Sequence, residues 1–196
     1  MSFEAALTNE KRGKSVITWS AVYLVAAWLS ITADLLNPDS NTLMISDLLY
    51  LPIFPALIGA FFVTWRWLRS LVLSAKVIDP VAIGYRHGWA FWGWFTPIVW
   101  FWIPRRLLDR SQGVFTSYSR VENTLRLGPW WGLFIASSLV DYISFRAFAA
   151  GAENLVYLDI VGAILLTIAY PKWKLIVETL SNSQQNAITK FQAEAD

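Results

Sequence analysis

Four aspartates in apolar surroundings are the residues best placed to do chemistry: Asp34, Asp47, Asp141 and Asp159. An ionised side chain at membrane depth costs at least about 2.5–3.5 kcal/mol, so each demands a partner, water or a cation. One reading is a cation or proton path through Asp141 and Asp159. The other pairs Asp141 or Asp159 with Arg146 and leaves Asp34 and Asp47 in interfacial water. His87 could act as a single axial ligand or proton relay, or as an ordinary interfacial hydrogen-bonding group; Arg86 beside it disfavours imidazolium.

Aromatic chemistry is concentrated in one place. Trp89, Trp92, Trp94, Trp100 and Trp102 fall close together, and helical i, i+3 spacing groups Trp89, Trp92 and Phe95 on one face. Such rings could stack on a pigment, quinone, lipid ring or partner helix, or form an aromatic belt with ordinary packing. Just beyond them Arg105, Arg106 and Arg110, followed by Arg120 and Arg126, make a basic face. Anionic headgroups are attracted to such a face at about 1 kcal/mol per exposed charge.

Much else is excluded. There is no cysteine and only one histidine, so thiolate chemistry, disulfides, iron–sulfur clusters and multi-histidine metal sites are ruled out. No glycine-rich phosphate loop, nucleophile elbow or HExxH occurs, and no spacing joins serine, aspartate and histidine into a triad. The expectation is a protein that is not an enzyme and has no resident cofactor, with a bound lipid, quinone or pigment as the open options. A net charge of +2 gives no reason to expect nucleic acid. Apolar residues make up 56% of the 196 residues and charged ones only 15%, against about 25% charged in a typical soluble domain. That deficit points to a membrane.

Positioning these residues requires spans of about 20 apolar residues. Four stretches qualify, at about 15–36, 48–68, 128–149 and 155–170. Asn37-Pro38-Asp39-Ser40-Asn41 closes the first, and Pro171 starts the exit from the last. The segment 88–103 reads GWAFWGWFTPIVWFWI and is short and interrupted by Pro97. If it does not cross, fifteen of the sixteen Lys and Arg fall on the cytoplasmic side, as the positive-inside rule favours. The fold class is therefore all-α: a single polytopic membrane domain over 1–196, four spans, and a Trp-rich re-entrant or interfacial helix bent at Pro97. Five spans is the alternative. Residues 104–127 should form a basic cytoplasmic helix or loop, and 181–196 a polar tail.

The middle of the chain resembles a family of uncharacterised bacterial membrane proteins, domain of unknown function 4328. The resembling residues are Arg86-x-Gly88-Trp89-Ala90-x-x-Gly93-Trp94-Phe95-x-Pro97, then Trp102-x-Pro104 and Arg105-Arg106-Leu107-Leu108-Asp109-Arg110, with Trp130-Trp131 opening the next span. The family favours Asn where this chain has Trp100, so no polar role carries over there. The resemblance implies a multi-span bacterial inner-membrane protein and no reaction. The expected function is a non-catalytic accessory or assembly subunit of a larger complex, respiratory or photosynthetic. It would pack through Trp89, Trp92, Trp94, Phe95, Trp100, Trp102, Trp130 and Trp131. The alternatives are a lipid-, quinone- or pigment-binding sensor and a cation or proton path. Membrane lipids and other integral subunits are the expected partners, with both termini cytoplasmic.

Overall fold

Helix length and the placement of charge decide the architecture. The computed structural model describes residues 3–36, 48–49, 51–96, 98–119, 125–152 and 155–194, with side chains from residue 11 onward. In chain order the helices are α1 (Phe3–Leu36), α2 (Ile53–Ile78), α3 (Trp89–Phe95), α4 (Ile103–Ser119), α5 (Leu127–Ala149) and α6 (Val156–Ala193). A single 3-10 turn, Val99–Phe101, separates α3 from α4. Among the described residues there is no strand, and α1, α2, α5 and α6 are long and apolar enough to cross a membrane. The chain is an all-α polytopic membrane protein.

Three helices run beyond the expected spans, α1 starting already at Phe3. The second span begins at Ile53, not 48, because Pro52 precedes it and Pro55 sits in the first turn, where the missing N–H costs nothing. It continues to Ile78 because Arg66 and Arg69 face outward while Trp67, Leu68, Leu71, Val72 and Ala75 are buried. Charges that read as the end of a span are the wet side of an amphipathic continuation. In the same way α6 runs through Pro171 to Ala193, and the expected separate tail is its last turns. Trp173, Val177, Leu180, Gln184 and Ile188 recur at three- and four-residue spacing on its buried face, and that packing holds the helix together past the proline.

The described residues of 88–103 form no helix long enough to span. Seven residues of α3 rise only about 10 Å, a third of a hydrocarbon core of about 30 Å. The chain turns at Ile98, which has φ 66°; Pro97, where the bend was expected, lies outside the described residues, as do Asp47 and Arg120. On α3 the inward residues are Ala90 and Gly93. A Cβ on Gly93 would stand 2.7 Å from Ile103 Cγ2, so only glycine lets the start of α4 lie this close. Over the expected basic helix or loop of 104–127 the structure has α4, which keeps Arg105, Arg106 and Arg110 exposed. Pro104, Leu107, Leu108, Ser111, Val114 and Phe115 form a buried stripe along α4.

The chain forms two compact units. The first comprises Met1–Ile17, Phe62–Leu127 and Lys174–Asp196. Its core joins α2, α4 and α6, and Trp67 and Gln184 pair their buried polar groups there, while the buried Ser111 hydroxyl of α4 has no hydrogen-bond partner among the described residues. Trp67 Nε1 donates to Ser181 Oγ at 3.0 Å, and Gln184 Nε2 donates to Ser74 Oγ at 2.6 Å and to the Ser70 carbonyl at 3.3 Å. The second comprises Thr18–Phe61 and Gly128–Trp173. There Trp130 stacks on Trp173 with centroids 4.6 Å apart and planes at 16°, and Trp173 Nε1 donates to Ser20 Oγ at 3.1 Å.

Three outcomes follow from this packing. Gly93→Ala should destabilise the protein by about 1–3 kcal/mol through overpacking, read as a lower melting temperature in detergent. The Gly93→Ala/Ile103→Ala pair should lose less than the sum of the single changes, because the two share one contact. Trp67→Phe should cost about 1–3 kcal/mol by leaving the buried Ser181 hydroxyl without its donor.

Candidate functional site

The intramembrane acids lie in the second unit, on a polar seam between α5 and α6. Ser137, Asp141 and Ser144 recur at i, i+4 and i+7 on α5 and so share one face. Ser137 Oγ donates to the Gly162 carbonyl at 3.0 Å, and Ser144 Oγ donates to Asp159 Oδ1 at 2.7 Å. Between them a Cβ on Gly162 would meet Asp141 Oδ1 at 2.3 Å. Gly162 therefore gives the Asp141 carboxylate its room. Asp159 is in electrostatic reach of both Asp141 and Asp34, and Asp141 of Tyr23.

Arg146 does not join this seam. Two residues beyond Ser144, it points about 200° away around the helix, and it forms no ion pair among the described residues. The expected Arg146 pair with Asp141 or Asp159 is replaced by the Ser144 hydroxyl as the partner of Asp159. Three or more acids or histidines do not converge on one point among the described residues, so the seam is a line of polar groups, not a cation cage. His87 is exposed at the entry to α3.

The aromatic residues divide between the units. Trp130 and Trp131 are only 4% and 5% exposed and belong to the interior of the second unit, which corrects their placement on an outward interface. In the first unit Trp89, Trp94 and Trp100 are half-buried, while Trp92, Phe95 and Trp102 are exposed. Phe91 ties this element down: it meets Trp65 of α2 edge-on at 5.3 Å and contacts Trp92 and Phe95 at 5.2 and 5.0 Å.

The basic residues that follow are sorted by their partners. Arg110 lies over the Tyr85 ring, 4.7 Å from its centroid, and donates to the Ile83 carbonyl, which anchors the loop before α3 to α4. Arg106 Nη1 donates to the Tyr85 hydroxyl at 3.3 Å, and Arg105 pairs with Asp109 at 3.6 Å. Desolvation holds the Asp109 carboxyl above its usual range, with Arg105 pulling the other way. Both members of that pair are nearly half exposed, so water screens it strongly.

A family model for a domain of unknown function, DUF4328, matches residues 44–171. The chain belongs to the DUF4328 family. The match runs from before α2 through the Trp-rich element and α5 into the seam-bearing part of α6. No curated protein and no solved structure matches the chain.

Sequence reasoning missed Ser137, Ser144 and Gly162 of this DUF4328 chain. These complete the seam, and the four- and three-residue spacing of Ser137, Asp141 and Ser144 was the available signal. It also missed Gly132 on α5, which is exposed and whose Cβ would meet nothing within 4 Å; Gly128-x-x-x-Gly132-x-x-x-Ala136 was the signal there. The two glycines should respond oppositely to alanine. Gly162→Ala should destabilise by about 1–3 kcal/mol through collision with Asp141. Gly132→Ala, in open space, should be neutral or stabilise by up to about 1 kcal/mol through helix propensity. Thermal unfolding in detergent compares them.

Proposed function

We propose that this protein is a non-catalytic subunit of a bacterial inner-membrane complex, and that α5 is the helix that receives a partner's transmembrane helix. The observation that carries this reading is the outward side of α5. Only 11% of its most apolar window is buried, against 33% for α2 and α6, and the exposed Gly132 opens that side. Exposed Leu139 and Ile143 continue the same stripe at i+7 and i+11. Small residues on a spanning helix let a second backbone approach closely, and van der Waals packing then drives association in lipid.

Orientation follows from charge. The first unit holds fourteen of the sixteen Lys and Arg and eight of the fourteen acids, net +6. The second unit holds two bases and six acids, net −4. The positive-inside rule assigns the first unit, with both ends of the chain, to the cytoplasmic side. Ser117 is exposed in that unit, so a Ser117→Cys variant should be labelled by impermeant maleimide only after membranes are opened from the cytoplasmic side.

The subunit reading is tested by extraction in mild detergent. Companion proteins should co-purify with the wild type and be lost from Gly132→Leu, with its helical circular dichroism retained. A monodisperse monomer without associated protein from wild-type membranes would count decisively against it.

A second reading has its own support: Asp141 and Asp159 on one seam between spans favour a cation or proton path. In liposomes such a path would appear as flux abolished by Asp141→Asn. Equal flux in wild type and variant removes it.

A further inference from the structure

A stretch of the first unit combines features that the subunit reading leaves unused. Between Asp79 and Asp109 the sequence contains no acidic residue, yet it carries Arg86, Arg105 and Arg106, all exposed, together with exposed His87. Inside that acid-free stretch lie four large exposed apolar side chains: Trp92 at 61%, Phe95 at 56%, Ile98 at 67% and Trp102 at 39%. Trp92 and Phe95 share the face of α3 opposite Ala90 and Gly93, which are packed against α4.

These rings are held outward by structure. Phe91 is pinned on Trp65, Gly93 seats α3 on Ile103, and Arg110 locks the preceding loop through Tyr85 and the Ile83 carbonyl. Ile98, a β-branched residue, turns the chain with φ 66°, a conformation that costs of order 1–3 kcal/mol and persists only where its surroundings enforce it. Large exposed apolar side chains this close in the chain, on an element held in place, call for a cover other than water.

We infer that Trp92, Phe95, Ile98 and Trp102, with Arg105 and Arg106 beside them, seat in the headgroup layer of an anionic bilayer. Charge complementarity selects this occupant. Three exposed arginines, of which only Arg105 has an acidic neighbour in Asp109, face the negative surface potential of a cytoplasmic leaflet, and the unit that carries them has net charge +6. Indole suits the same depth, since its ring is apolar and its N–H finds water or an ester oxygen. The Arg105–Asp109 pair, half exposed and 3.6 Å long, is weak enough to exchange for a phosphate. The inference concerns a different surface from the helix-docking stripe of α5 and stands if that stripe is unoccupied.

The chain has no cysteine, so a single Phe95→Cys carries one bimane label. If that variant misfolds by circular dichroism, Ile98→Cys gives the same readout. The labelled full chain is placed in nanodiscs of phosphatidylcholine, with and without phosphatidylglycerol, each also in acyl-brominated form. Brominated lipid should quench the label and aqueous iodide should not. Phosphatidylglycerol should quench at lower mole fraction than phosphatidylcholine by up to roughly fivefold per arginine at low salt. Arg105→Gln/Arg106→Gln should lose that preference while keeping the quenching by lipid. A label quenched by iodide and untouched by brominated lipid overturns the inference, including where native membranes protect the site, since a protein then covers it. So does an anionic preference unchanged in the double glutamine variant.

Discussion

Keeping guanidinium and ammonium groups out of hydrocarbon is the constraint from which the rest of this protein follows. Almost all of its cations lie in one compact unit, and the acids of its spans lie in the other. Each is a response to the same cost of burying charge in a medium without water. In the first unit the helices turn their arginines outward and bury Trp67, Leu71, Phe115 and Leu180. In the second, acids that cannot turn to water are met by a serine hydroxyl, or given room by a glycine.

The same constraint separates the two surfaces that carry the functional readings. The α5–α6 seam is polar because Ser137, Asp141 and Ser144 share a helical face, and it is narrow because Gly162 lets Asp141 lie against α6. The aromatic element is its counterpart in the first unit: large rings, with Arg105, Arg106 and the Arg105–Asp109 pair within a few residues.

Tryptophan has different tasks in different places. Trp67 and Trp173 are internal, each spending its indole N–H on a serine hydroxyl. Trp130 and Trp131 are internal as well, although their position at the start of a span had marked them as an outward surface. Burial of two large rings at a helix end was invisible in a pattern that is apolar on every side. Trp92 and Trp102 stay outside because the inward positions of α3 are occupied by Ala90 and Gly93, residues small enough for close packing.

The sequence by itself determined the membrane class, the family resemblance and the four stretches apolar enough to span. All of these depend on composition and length, which are additive along a chain. Tertiary structure decided what no local count contains. Pro171 and Arg69 look like ends of helices, yet α6 and α2 run past them, because buried partners such as Trp67 and Ser181 repay the interruption. The partner of Asp159 was likewise undecidable, since Arg146 is near in sequence but on the opposite side of its helix. Direction around a helix and contact between helices distant in sequence come only from packing.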